Sequence, residues 1–419
     1  MDNPISKRLR IALFSFVIIF LAFFTIFFST STNSLEEGQV QHFNESWSVF
    51  VDGDYLEQTD FPKVIDADKN QEILISNTLS NDFDVPQTIL VRGSLQNVIV
   101  KLEGQIIYEK DFEENIFNTY ASIYHFIEIP ENSSGDTIEI ILVSPYRNMS
   151  GTLNEIHYGH PSAIEDFLMD QHGYKVYVSL FMLVSALLFS IINYLFFYKK
   201  YPYNEFLGIF GVFISLWLFA ESRIVQLYIN NDFLIGSLAY ISLAAAPIAA
   251  VAFIKSHLFK EDRFIFSGLC VIFTINLFIN IILHISGIAA FFETVTITVI
   301  LISIAFIIAF ALLLKNYLKT KKKEYRNFLF ISIAFSIFLF LEVYEFANKN
   351  FSITAIFATT GIAVIMLVVF VINIILLSIK LRNTYEKELY HQIAHTDQLT
   401  KVGSRFAFEK AVFNKNTDL

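Results

Sequence analysis

The chain has one cysteine, Cys270, in 419 residues. That excludes an intramolecular disulfide framework and a thiolate zinc cluster, and it leaves the redox compartment unreadable from cysteine usage. Charge is scarce too: Asp, Glu, Lys and Arg make up 17% of the residues, against 54% hydrophobic and 16% aromatic, with a net charge of -10. The mean hydropathy is +0.52. So apolar a chain is neither disordered nor a purely soluble domain, and its acidic balance argues against a nucleic-acid partner.

Basic residues are rarest in one region. Residues 30–175 hold 7 Lys and Arg against 25 Asp and Glu, so this stretch is strongly acidic and the remainder of the chain is net basic. Two physical environments share the polypeptide.

A hydrocarbon core about 30 Å thick takes about 20 apolar residues of helix, because lipid offers the backbone no hydrogen-bond partner. Eight segments meet this: Ile11–Ser29, Val176–Tyr198, Tyr203–Ala220, Phe233–Ile254, Phe264–Ile285, Ala289–Leu314, Phe328–Ala347 and Ile353–Leu377. Assigning alternate loops to the cytoplasm from Lys7, Arg8 and Arg10 onward puts 17 Lys and Arg there, against Arg223 and Lys349 in the opposite short loops. The positive-inside bias therefore predicts both termini in the cytoplasm of a multi-pass membrane protein, with the acidic region exported. Ile11–Ser29 reads as an uncleaved signal anchor, its apolar run being long for a cleaved signal peptide.

The expected division is an anchor over residues 1–29, a sensory domain over 30–175, a seven-helix bundle over 176–377, a signalling helix over 378–394 and a terminal piece over 395–419. Polar groups in lipid are costly. Glu221, Arg223, His284, Glu293, Glu342 and Glu345 fall at the outer ends of their helices, where they could form an outer-face cluster or sit as ordinary interfacial residues. Asn193, Asn276, Asn280 and Asn373 lie deeper and are expected to hydrogen-bond between helices. Internal repeats and mid-depth charge, the marks of a transporter, are not evident.

In the acidic region, short β-branched runs alternate with turn signals, the pattern of an all-β sandwich of jelly-roll-like form. Expected strands are Trp47–Val51, Glu72–Ser76, Thr88–Val91, Asn97–Leu102, Gln105–Tyr108, Ser122–Ile129, Thr137–Val143 and Thr152–Tyr158, with a tight hairpin at Glu103 and Gly104. Tyr120, Tyr124, His125, Tyr146 and Arg147 are candidates to bind a small molecule or carbohydrate, since aromatics stack on such ligands and polar groups orient them. The alternative is that these aromatics pack the core.

Past Leu377 the last helix continues without a breaker, with apolar residues at Leu377, Leu381, Tyr385, Leu389 and Ile393. The spacing of four drifts around a helix and is no clean heptad seam, yet it suits a short homodimer contact through residues 377–393. Next, Asp397, Leu399, Thr400, Arg405 and Phe408 match the pattern D-x-L-T-x-x-x-x-R-x-x-F, which resembles the start of a GGDEF domain, the diguanylate cyclase family. Lys401 and Ser404 depart from the usual glycine and asparagine of that pattern.

Upstream, ValLysLeuGluGlyGlnIleIleTyr, TyrHisPheIleGluIlePro and SerProTyrArgAsnMetSerGlyThrLeuAsnGluIle resemble the extracellular sensory domain of bacterial seven-transmembrane receptors with diverse intracellular signalling modules. That resemblance implies a receptor of a bacterial inner membrane, relaying an outside ligand toward cyclic di-GMP synthesis. Only 25 residues follow from His395, short of the metal-binding carboxylates and signature loop that such a cyclase requires. No cyclase activity and no cofactor are therefore expected of this chain; GTP and Mg2+ would belong to a full GGDEF domain. The alternatives are a stand-alone receptor or transporter, and a histidine kinase using His391 or His395.

Overall fold

The computed structural model describes residues 40–112, 120–196, 202–229, 231–259, 262–347, 356–395, 402 and 404. The predicted anchor Ile11–Ser29 and the motif residues Asp397, Leu399, Thr400, Arg405 and Phe408 lie outside them. The chain builds a β-sandwich first and a set of long apolar helices after it.

Among the described residues the sandwich region has twelve strands: β1 (Gln41–His42), β2 (Trp47–Val51), β3 (Asp54–Thr59), β4 (Lys63–Val64), β5 (Ile73–Thr78), β6 (Gln87–Arg92), β7 (Asn97–Leu102), β8 (Gln105–Lys110), β9 (Tyr124–Ile129), β10 (Thr137–Val143), β11 (Thr152–Leu153) and β12 (Ile156–Gly159). A four-stranded sheet runs β1-β12-β6-β9 and a six-stranded sheet runs β3-β2-β5-β10-β7-β8, with β11 and β4 paired separately. Alternation sets the core. Ile89, Val91, Ile127, Ile129, Ile156 and Tyr158 of the smaller sheet meet Val49, Ile73, Ile75, Val98, Val100, Ile138 and Ile140 of the larger one.

The Glu103–Gly104 hairpin is present, with both residues at positive φ (46° and 78°) as a two-residue turn of this hand requires. Asp52 and Gly53 make a second such turn (51° and 87°), joining β2 to β3. The strand it introduces was not expected, because Asp54–Thr59 is mostly exposed and lacks apolar alternation. Expected strand Thr152–Tyr158 is two strands, broken where the Asn154 side chain turns to hold Arg92 O and Ser94 Oγ.

The helices are α1 (Pro161–Phe196), α2 (Glu205–Glu221), α3 (Asp232–His257), α4 (Arg263–Ile285), α5 (Phe291–Thr320), α6 (Lys323–Ala347) and α7 (Ile356–His395). Among the described residues, five spans are long and apolar enough to cross a membrane: Pro161–Leu195, Pro202–Glu221, Leu234–His257, Arg263–Ile285 and Phe291–Thr320. Their surfaces explain why water is the wrong solvent. Ile272, Ile275, Phe278, Ile282, Ile300, Ile304 and Ile307 are exposed together on α4 and α5, an apolar area far beyond what a soluble surface carries.

Consecutive helices pack on one another, and α7 returns to α1. Met182, Ala186 and Phe189 of α1, Leu207, Ile214 and Leu218 of α2, and Met366, Phe370 and Ile374 of α7 form one cluster. Gly211 makes this approach possible: a Cβ there would lie 2.8 Å from Ala186 Cβ and 2.9 Å from Phe370 Cζ. Of the four asparagines expected to bridge helices, Asn193 donates to Glu205 of α2 (2.7 Å), and Asn276 and Asn280 both donate to Thr298 of α5 (2.9 and 3.1 Å). Asn373 departs from the expectation. It donates to Val369 O within its own helix, which satisfies the amide without a neighbour.

Gly211→Val is expected to overpack this contact and cost about 1–3 kcal/mol, read as a lowered thermal unfolding midpoint of the full chain in detergent. Gly268→Ala, where an added Cβ meets nothing within 4 Å, is the matched control and leaves the midpoint unchanged or slightly raised.

Candidate functional site at the seam between sandwich and helices

The smaller sheet buries apolar residues on part of its outer face as well. Its outer face carries Leu90, and partly buried Tyr124 and Phe126, against Ile164, Phe167 and Leu168 of α1. The helix therefore starts well before the apolar run at Val176, and its first turns are a lid on the sheet. Helix and sandwich form one packed unit here.

A second contact lies at the first residue of β9. Gln226, in the 3-10 turn Ile224–Leu227 after α2, accepts from Tyr124 N (2.9 Å) and donates to Tyr124 O (2.8 Å). One amide side chain thus stands in for a neighbouring strand and satisfies the first backbone pair of β9. Tyr124 also shares a hydrogen bond from its hydroxyl to His172 Nε2 at 2.8 Å. The turn is aimed by Arg223, a non-glycine residue in the left-handed region (φ 60°), a conformation that persists only where the surroundings hold it.

The same seam holds a cavity of ≈ 220 Å³. The sandwich contributes Arg92, Ser94, Tyr120 and Ser122, and the helices contribute Glu221, Arg223, Tyr240 and Phe292. In the sheet register Arg92 stands opposite Tyr124, on the outer face, which directs it at the helices. Its Nε and Arg223 Nη1 are both buried without a hydrogen-bond partner among the described residues. Burial first, and the adjacent Arg223 charge second, bring the Arg92 guanidinium down to about 10. It stays charged in any physiological buffer, so two cations face one space, with Glu221 3.7 Å from Arg223 and both Glu221 and Glu155 acting on Arg92. The arrangement has spare guanidinium donors, the chemistry that receives a carboxylate or another small oxyanion.

The expected ligand residues divide. Tyr120 lines the cavity, and Tyr146 packs edge-on against it (5.8 Å between ring centres) and against Phe292 (5.4 Å). Tyr124 serves the seam through its backbone and hydroxyl. His125 points the other way, into the sandwich core, because strand alternation sends it opposite to Tyr124; it is 1% exposed and shares a hydrogen bond with Tyr108 at 2.9 Å. Gly93 covers it closely: a Cβ there would sit 2.6 Å from Nε2. Arg147 is exposed and pairs with Asp68 at 3.2 Å.

The outer-end polar residues divide as well. Glu221 and Arg223 line the cavity. Glu293 accepts from Ala290 N at 2.9 Å and so caps α5, and His284 stacks on Phe291 (4.1 Å), placements that need no ligand. The side chains of Glu342 and Glu345 lie outside the described residues. Arg92, Gln226 and Tyr240 were not anticipated. Arg92 had a signal, being one of two arginines in an acidic stretch and following directly on the apolar run Ile89–Val91. Gln226 had none.

Two outcomes test the seam. Gln226→Ala removes both bonds to Tyr124 and is expected to cost about 1–3 kcal/mol, seen as faster amide exchange at residues 120–124 while the β5 and β10 amides keep their rates. His125 is held neutral by burial and, secondarily, by Lys110, its pKa falling from 6.5 to about 3. The native state then binds fewer protons than the unfolded one between these values, so stability present above about pH 6.5 is lost as pH falls toward 3. The unfolding midpoint is expected to drop from about pH 7 to about pH 5, and His125→Gln to flatten that slope; an unchanged slope in the variant counts against the assignment.

No protein-family model matches the chain, and no curated protein matches it.

Proposed function

We propose that the protein is a multi-pass membrane receptor that reads a small carboxylate-bearing ligand at the seam between sandwich and bundle. The observation that carries this is the cavity built from both parts, with two buried guanidinium nitrogens lacking partners among the described residues. A ligand bridging Arg92 and Arg223 binds one seating of the sandwich better than any other, and a receptor requires such differential affinity. Aromatic walls at Tyr120, Tyr240 and Phe292 suit the apolar face of a sugar acid or a small organic acid.

Several features support the finer reading. The strand order β1-β12-β6-β9 over β5-β10-β7-β8, with the β2–β3 hairpin added at one edge, agrees with a jelly roll. The lysine and arginine bias of the loops supports an exported sandwich and cytoplasmic termini, with eight passes in all. α7 runs unbroken for 40 residues from Ile356 to His395, and its apolar stretch Thr359–Ile375 leaves a polar continuation that includes an Arg382–Glu386 pair at 2.8 Å. That continuation is the proposed signalling helix and homodimer contact, although the side chains of Leu377, Leu381, Leu389 and Ile393 lie outside the described residues. On the resemblance at Asp397, Leu399, Thr400, Arg405 and Phe408, the signal runs toward cyclic di-GMP synthesis by a GGDEF module whose metal-binding carboxylates and signature loop are not among these 419 residues.

The test is thermal unfolding of the full chain in detergent with glucuronate, acetate and phosphate, and with glucose as the uncharged control. A rise with an anion and none with glucose is expected, and Arg92→Gln should weaken that anion at least about tenfold, the order of one charge-assisted bond. Equal effects of glucose and glucuronate, or no response to any anion, would remove the carboxylate reading.

A further inference from the structure

The outer face of the smaller sheet holds a second constellation, which meets the seam cavity only through Glu155, a neighbour of Arg92. β1 pairs with β12 so that His42 lies directly opposite His157. Glu155 precedes His157 by two residues, and strand alternation sends both side chains to one face. The three donors, one from each residue, lie within 4.8 Å of one another.

The details favour a ligand over a chance cluster. His157 is 8% exposed, and its Nε2 is buried with no hydrogen-bond partner among the described residues; the nearest carboxylate oxygen, on Glu155, is 3.7 Å away. A buried imidazole nitrogen left without a partner is costly. Its ring is held from behind by Phe167 of α1, 4.7 Å between centres. His42 is braced as well. Asn44 Nδ2 donates to His42 Nδ1 at 3.3 Å while Asn44 Oδ1 accepts from Ile156 N at 2.7 Å, so one amide orients a ring and fixes β12. A ligating imidazole needs its metal-side nitrogen free and its proton on the other nitrogen, so His42 exchanges the long Asn44 bond for the ion on binding, while Asn44 keeps its hold on Ile156 N.

We propose that His42, Glu155 and His157 form a binding site for a zinc-class divalent transition metal. Two imidazoles and one carboxylate match the preferences of zinc and its neighbours, whereas calcium and magnesium take oxygen donors. Ligands of a tetrahedral centre stand about 3.3 Å apart, given bonds of about 2.0–2.1 Å. His42 and Glu155 are exposed and close that difference by turning toward the fixed His157. Three protein ligands leave a fourth position for water. The ion joins β1, a strand of two residues, to the strand that leads directly into α1, so its effect is to fasten the beginning of the sandwich to the start of the first bundle helix.

The experiment uses the full chain without an affinity tag, in detergent, stripped with a chelator and titrated with Co2+ and then with Zn2+. Expected are one equivalent of Co2+ with the visible absorption of a low-symmetry nitrogen and oxygen site, displacement by Zn2+, and a raised unfolding midpoint. His42→Ala and Glu155→Gln alter exposed side chains and leave the core intact; each should weaken Co2+ at least about tenfold. His160→Ala, on the exposed neighbouring histidine, should leave the affinity unchanged. Absence of the absorption band in the wild-type chain, or equal affinity in the two ligand variants, overturns the proposal.

Discussion

Burial of the outer face of the smaller sheet is the constraint on which the rest of the molecule depends. Leu90, Phe126 and Tyr124 turn apolar surface away from the sandwich core, and the first turns of α1 cover it through Ile164, Phe167 and Leu168. Without that cover the sandwich would hang from the bundle by a linker. With it, β9 lies close enough for Gln226 to complete its backbone pairing, and Arg92 is carried up to Arg223. The cavity is a by-product of two surfaces meeting at their edges and not in the middle.

Such a seam is a sensible place for polar chemistry. Neither partner alone would pay for two guanidiniums with buried, unpaired nitrogens, because each half of the site is wet until the halves meet. Bringing them together strips water from Arg92 and sets it beside Arg223, with Glu221 and Glu155 as the neighbouring carboxylates. Desolvation therefore opposes the packing that hydrophobic burial enforces, a balance that a bound anion would tip toward the docked arrangement.

Much of this was legible in the residues. Asn97–Leu102 and Thr137–Val143 alternate cleanly and are bounded by turn formers, and both strands have the expected limits. Pro130 and Pro145 follow strand ends, as residues unable to donate to a ladder must. The Asp52–Gly53 turn was readable as well, from its dipeptide, although the strand after it is too polar to announce itself. Other features had no local trace. The early start of α1 rests on a stretch containing Glu165, Asp166 and Asp170, which reads as soluble; only the sheet beneath Ile164 and Leu168 explains why it is ordered as helix. The side of the strand on which His125 falls depends on which face the core occupies, and a period of two cannot say. Gln226 is an unremarkable amide in a turn until a strand some hundred residues earlier is laid beside it.

The unbroken α1 has a mechanical consequence. Thirty-six residues of helix measure about 54 Å, well beyond the thickness of a bilayer's hydrocarbon. A rod with one end clamped to a sheet and the other wedged between α2 and α7 has nowhere to flex, so angular motion at the clamp is carried along its whole length. A tilt of about 3° over that distance moves the far end by about 3 Å, a displacement on the scale of a side chain, delivered by a lever with no moving joint.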